Sequence, residues 1–482
     1  MRSRRSERRR SMRLLMQILC IGAVVGPALS VGNLYAFHAV LVLAVVWIGS
    51  RELLARRGTL ASLPSRYHRM FGFMLVWFAL GLLWSWSRID TGCYLAYLTT
   101  GAALSTTVII YVKTDLRRLE SLLGAITLAM LVQVVIGLLE SFTDFRLPTS
   151  PYSTSSAAYM LDTVSRAVAD HLTTCPTGFC GNPNHFAVAL TLMVPFALFH
   201  RRNWVRTGGL LILGVLIVRT GSRASVAAVV VALLAAQWYR QKNGHGALLS
   251  LAGVGAVCFL FISGMFAHYS DYQDATTREA LGTWEAIEEY VSAEDTGSGR
   301  SVSMRRALIA NGMEALATTY GLGVGGGADW YVQELKGGRA GDLRSMHNIW
   351  VELLVNGGFI FFVPFMLWYG SLARELRRWP LILPQNRRLK YYSGALSLSL
   401  VTFAFSAVSA SSVIYFLPMY LWFGLAIATV NVCRQDAKQT VAARGNRVAT
   451  HAVKTPAMLT RQRRRPNPLG LQPRRLGEHP CG

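Results

Sequence analysis

The chain has 482 residues, 52% hydrophobic and only 15% charged, with a formal net charge of +24. Soluble domains carry a charged share near a quarter, so an ordinary soluble globular fold is excluded. The positive charge admits nucleic-acid binding, but its distribution argues against it. With the N-terminus taken as cytoplasmic and apolar segments alternating sides, 37 of the 49 Lys and Arg residues fall inside. This is the positive-inside pattern, and the excess then faces anionic lipid.

Twelve apolar runs are predicted as membrane-spanning helices: residues 14–31, 35–50, 70–87, 91–112, 121–143, 181–200, 207–221, 222–239, 247–267, 349–371, 392–412 and 413–433. Runs of about 18–22 residues are long enough to cross the hydrocarbon as helices, which satisfy their own backbone groups where lipid cannot. The expected class is an all-α polytopic membrane protein. Residues 1–13 form a basic cytoplasmic N-terminus and 14–433 the transmembrane domain. Residues 434–482 form a basic tail expected to be disordered, with Arg461-Gln-Arg-Arg-Arg465 in it. The N-terminus resembles a signal peptide; with no clear cleavage site before the following spans, it reads as a retained first helix.

Glu140, at the end of the fifth run, reads as a carboxylate snorkelling to water. Residues 144–180 then form an external loop. It contains Cys175-Pro-Thr-Gly-Phe-Cys180, which in an oxidising compartment reads as a disulfide candidate, with a metal pair as the rival. Gly181-Asn-Pro-Asn-His185 opens the sixth run with ordinary capping residues. Between runs seven and eight, Arg219-Thr-Gly-Ser-Arg223 puts two arginines at the outer face, against the charge rule. An anionic ligand would hold them, since the guanidinium fork suits phosphate.

The longest polar interruption, residues 268–346, is read as an outer, helical loop. Residues 277–293 read as an amphipathic helix. A second helix is expected over 302–319, with Leu308, Ile309, Met313 and Leu316 on one face. The run Gly321-Leu-Gly-Val-Gly-Gly-Gly327 lacks a P-loop ending and is expected to be flexible backbone against the membrane surface. Met346-His-Asn-Ile-Trp-Val-Glu352 leads into the tenth run. His347 reads either as an interfacial histidine or as a general base, its ordinary pKa lying near neutrality.

Taken together, Gly181-Asn-Pro-Asn184, Thr220-Gly-Ser-Arg223, Ser298-Gly-Arg300, the spaced glycines 321, 323 and 325, and His347-Asn348 resemble, in order and spacing, the O-antigen ligase and polymerase family of bacterial inner membranes. The resemblance covers about residues 120–430. It implies a fold related to the multi-spanning, GT-C-like glycosyltransferases. It also implies transfer of a glycan from undecaprenyl diphosphate to an acceptor facing the periplasm, without cofactor, metal or nucleic acid. In the ligases that acceptor is a sugar of the lipid A core. By motif, Arg223 and Arg300 match the family's essential arginines, Arg305 a weaker basic position, and His347 its essential histidine. Arg219 is a lesser diphosphate candidate, and Asn184, Asn348 and Glu352 are supporting residues. Met304 departs from the family's frequent tryptophan. The resemblance leaves open ligase, repeat-unit polymerase or protein-glycosylating member. A secondary transporter is the reading from another class, weakened by the loop's position after the ninth run and by the lack of a visible repeat.

Overall fold

The computed structural model describes residues 2–31, 34–54, 66–147, 175–240, 300–335, 345–383, 385–408, 410 and 412–462. Thirteen helices are described: α1 (Arg2–Val25), α2 (Ala36–Leu54), α3 (Arg69–Gly81), α4 (Arg88–Val112), α5 (Leu116–Phe142), α6 (Pro183–Leu198), α7 (Asn203–Arg219), α8 (Arg223–Arg240), α9 (Arg300–Thr318), α10 (Asp329–Leu335), α11 (Ile349–Ile382), α12 (Arg387–Ser406) and α13 (Leu417–Gln462). A two-residue antiparallel pair, β1 (Ser30–Val31) with β2 (Leu34–Tyr35), joins α1 to α2. The chain divides into two units, 1–433 and 434–482.

Eleven of the twelve expected spans fall on helices, and the ninth, 247–267, lies outside the described residues. By length and composition, Arg88–Val112, Leu116–Phe142, Ile349–Ile382 and Leu417–Ala443 are able to cross a membrane. Ala36–Ser50, Pro183–Leu198 and Arg223–Ala236 are shorter apolar helices. Several faces are apolar yet exposed: Val42, Leu43 and Val46 on α2, Leu128, Leu131 and Val135 on α5, and Leu211 and Val215 on α7. Stripes of that extent face lipid in a multi-pass protein. The tail differs from expectation. It continues α13 as helix to Gln462, because 434–462 is rich in Ala, Arg, Lys and Gln, all good helix formers.

α12 is the hub of the first unit, packing against α6, α8 and α11. Its sequence explains this, since small hydroxylated residues let helices approach and bond where lipid offers no partner. Ser399 Oγ donates to the Leu192 carbonyl at 2.9 Å and Ser397 Oγ to the Ala373 carbonyl at 2.9 Å. Thr191 Oγ1 donates to Ser406 Oγ at 3.0 Å.

α11 is broken at Gly358, where φ is 67° and ψ −179°. The glycine run fills the break. The Val324 amide donates to the Val355 carbonyl at 2.9 Å, Gly325 to Asn356 at 3.2 Å, and the Phe359 amide returns to Gly321 at 2.9 Å. The break would otherwise strand those backbone groups inside the protein. Glycine is required by conformation and by space. Gly323 has φ +90°, and a side-chain carbon there would lie 2.5 Å from the Gly358 nitrogen. Residues 323–327 are buried, so the run is packed structure and the expected loose contact with the membrane surface is corrected.

α9 also differs in detail. Leu308 and Leu316 are buried, but Met313 is 41% exposed, and Asn311, Gly312 and Ala315 complete the inner face. The face turns because Gly312 makes room for Met346. The expected helix at 277–293 lies outside the described residues.

Candidate active site

The segment before α11 is held at both ends. Met346 is fully buried in an apolar cluster with Leu308, Val324, Val332 and Val355. Asn348 caps α11, its Oδ1 accepting from the Trp350 amide at 3.0 Å and the Val351 amide at 3.4 Å. His347, half-buried between these anchors, has φ +48°. A residue with a Cβ pays roughly 1–2 kcal/mol for that left-handed backbone. Asn348 is thus the N-cap of this helix.

A second segment, 412–416, closes on this turn. The Ser412 amide donates to Ser345 Oγ at 2.8 Å, and the His347 amide to the same oxygen at 3.4 Å. Ser412 Oγ donates to Glu352 Oε1 at 2.5 Å. The Ile349 amide reaches the Ala407 carbonyl at 3.3 Å. On the far side of this segment, the His185 ring lies 5.5 Å from that of Tyr415 and 5.6 Å from that of Phe416. The structure thus gathers the start of α6, the α12–α13 turn and the start of α11. His185 is buried among aromatic rings, not set at an interface.

Glu352 begins a buried polar cluster. One turn on, Asn356 Nδ2 donates to Asp329 Oδ1 at 2.8 Å, and the Asp329 amide donates back to Asn356 Oδ1 at 3.1 Å. Burial holds the Asp329 carboxyl well above the usual carboxylate range, to about 7. Sequence reading missed Asp329, Asn356, Ser345 and Ser412. A usable signal was Asn356 itself, a polar residue inside an apolar run and four residues after Glu352, hence on the same helical face.

The arginines sit as follows. Gly221, with φ +68°, ends α7, and Arg223 is exposed as the first residue of α8. Arg219 is half-buried and its Nη2 donates at 3.0 Å to the Ser141 carbonyl at the end of α5. One donor of this side chain thus serves a carbonyl at a helix C-terminus. Arg300 and Arg305 lie in the first turns of α9, and their side chains fall outside the described residues.

The other expectations near α6 change. Asn182, not Asn184, caps α6, accepting from the Asn184 amide at 2.8 Å and the His185 amide at 3.4 Å. No disulfide joins Cys175 to Cys180. Gln133 Nε2 donates to Cys180 Sγ at 3.2 Å, and burial pushes that thiol up to about 12, far from the thiolate that bridging needs. Two of the four residues between them are tied elsewhere. The Thr177 and Gly178 amides each donate to Glu140 Oε2 at 2.7 Å. Glu140 is 1% exposed, so it anchors this loop and does not snorkel.

Residues 208–366 match the family described as O-antigen ligase. Over that segment the chain is similar to the O-antigen ligase and polymerase family. The matched region contains Arg219, Arg223, Arg300, Arg305, His347, Asn348 and Glu352. The chain is also 24% identical over 384 residues to the teichuronic acid biosynthesis protein TuaE of Bacillus subtilis (strain 168), covering 76% of this chain and 72% of that protein. That similarity and the apolar helices support a multi-pass, glycosyltransferase-like membrane enzyme.

Proposed function

We propose that the protein transfers a glycan from undecaprenyl diphosphate to an acceptor hydroxyl at the periplasmic face of the bacterial inner membrane. The acceptor of the first reading is a sugar of the lipid A core. The observation that carries this is the His347 turn: an imidazole presented on strained backbone, fixed from two sides, within the segment that matches the O-antigen ligase family.

His347 takes the proton of the acceptor hydroxyl as that oxygen attacks the anomeric carbon. The bond to the diphosphate breaks in the same displacement, so the anomeric configuration inverts. Arg223 and Arg300, with Arg305 beside them, stabilise the negative charge that grows on the departing diphosphate. Arg219, which keeps donors beyond the one on the Ser141 carbonyl, is the lesser candidate for the same charge. Residues 144–180 and 268–346 face the periplasm in this reading, with twelve spans and both ends inside.

A second reading is polymerisation of repeat units, which the similarity to a teichuronic acid biosynthesis protein favours. Its chemistry is the same, with a growing glycan as acceptor. Membranes containing the protein, mixed with a lipid-diphosphate glycan and either lipid A core or a second lipid-linked unit, distinguish the two by product. Arg223→Ala and Arg300→Ala should abolish transfer to either acceptor while leaving insertion intact. Parental transfer by both variants would remove the arginines from the site.

A further inference from the structure

Three residues with side chains have positive φ among the described residues: Lys113, Tyr320 and His347. Lys113, at φ 50° and ψ −102°, is the C-cap of α4, and Tyr320 follows the end of α9, so both positive φ values fall where a helix stops. His347 is different. It precedes an N-cap, a position that does not call for this conformation. Strain of this kind persists only where the surroundings enforce it.

The enforcing groups form a closed ring. Ser345 Oγ accepts from the amides of His347 and Ser412. Ser412 Oγ donates to Glu352 Oε1. The Glu352 amide donates to the Asn348 carbonyl at 2.9 Å, which returns to the residue after His347. The ring couples three places: the residue two before His347, the turn between α12 and α13, and the first turn of α11. Glu352 is 1% and Ser412 3% exposed, so water does not compete for the bond between them.

We propose that Ser345, Ser412 and Glu352 are positioning residues that fix the backbone of His347, so that the α12–α13 turn sets the angle at which the imidazole meets the acceptor hydroxyl. This rests on the reading of His347 as the general base. It gives Glu352 a function other than contact with the ring: it acts through Ser412 and the main chain. As an acceptor only, Glu352 is replaceable by glutamine, whose side-chain carbonyl serves equally, and not by leucine.

The test is a double-mutant cycle in single-turnover glycan transfer with saturating lipid-diphosphate donor, on variants shown to insert and melt as the parent does. Ser345→Ala and Glu352→Leu should slow the chemical step by up to about 100-fold, the effect of misplacing a reacting group by an ångström. The donor KM should hold within about twofold, since binding and chemistry separate in this way. Ser345→Thr and Glu352→Gln, which keep the acceptor oxygens and spare the fold, should restore most of the rate. In a His347→Gly background, with imidazole supplied in solution, Ser345→Ala should have no further effect, because no tethered ring remains to be aimed.

If Ser345→Ala and Glu352→Leu keep the parental rate while His347→Ala is inactive, the ring is only a tie in the fold and the base reading stands. An equal loss from Ser345→Ala in the parental and His347→Gly backgrounds overturns the proposal in the same way. If His347→Gln itself transfers normally, the base reading fails first and takes the positioning role with it.

Discussion

Glu140 near the end of α5 and Glu352 near the start of α11 are both 1% exposed, yet they are built into opposite kinds of surroundings. Glu140 accepts two backbone amides, Thr177 and Gly178, and a third bond from Thr177 Oγ1 at 3.4 Å. These three donors belong to one short loop, and the carboxylate fastens that loop to the helix, while Arg146 Nη1 donates to the Glu140 carbonyl. Glu352 accepts from a side chain, Ser412, whose own amide is committed to the turn that carries His347. The first carboxylate ends in structure. The second is linked to a strained residue near the end of the matched segment 208–366. A buried carboxylate alone therefore says little about function; what its partners hold in turn decides it.

The comparison is broken most strongly through Glu140. Glu140→Ala leaves two buried amides without acceptors, a loss of about 2–5 kcal/mol at about 1–3 kcal/mol for each orphaned group. Folded yield and melting temperature in detergent should fall sharply. Glu352→Gln, by contrast, should leave both near parental. Equal destabilisation by the two variants would erase the distinction drawn between them.

A smaller loss is expected at the glycine run. Gly323→Val meets both the φ of +90° and the close Gly358 and Asn356 backbone, and should lower stability by about 2–4 kcal/mol through strain and overpacking. Gly208→Ala, where an added carbon meets nothing within 4 Å, serves as the control. Parental melting of Gly323→Val would mean that the run does not repair the break in α11.

The smallest effect is a pH dependence. The folded pKa of Asp329, about 7, lies above the unfolded value, so the folded protein keeps its proton over a range where the unfolded chain has lost it. The contribution to stability is therefore greatest at low pH and is lost as pH rises from about 4 towards 7. Amide protection in 321–335, after division by the intrinsic base-catalysed exchange rate, should fall over that window in the parent and stay level in Asp329→Asn. A window unchanged by Asp329→Asn would assign the effect to another group.

Much of the fold was legible in the sequence because apolar run length is a direct physical requirement of crossing lipid. The helix over 302–319 came from local pattern as well. The site was legible only in part. His347, Arg223 and Asn348 carry local signals, but Ser412 is an unremarked serine between two apolar runs, and only tertiary contact brings it to Ser345, 67 positions away. Glu140 misled for the same reason. A carboxylate at a helix end reads as reaching water, and nothing local tells that residues 177 and 178 return to cover it. The paired cysteines read as a bridge by spacing alone, while the partner of Cys180 is Gln133, 47 positions back.

The central claim is that His347 removes the acceptor proton. Single-turnover transfer by His347→Gln, in protein shown to be folded, tests it most directly. Glutamine preserves a polar side chain at the turn but has no basic nitrogen near neutral pH. The account predicts a rate lower by roughly 10²–10⁴-fold, the usual contribution of a general base, with donor binding little changed and the parental rise of rate with pH abolished. A near-parental rate with the pH profile intact would contradict it and leave the reaction without its base.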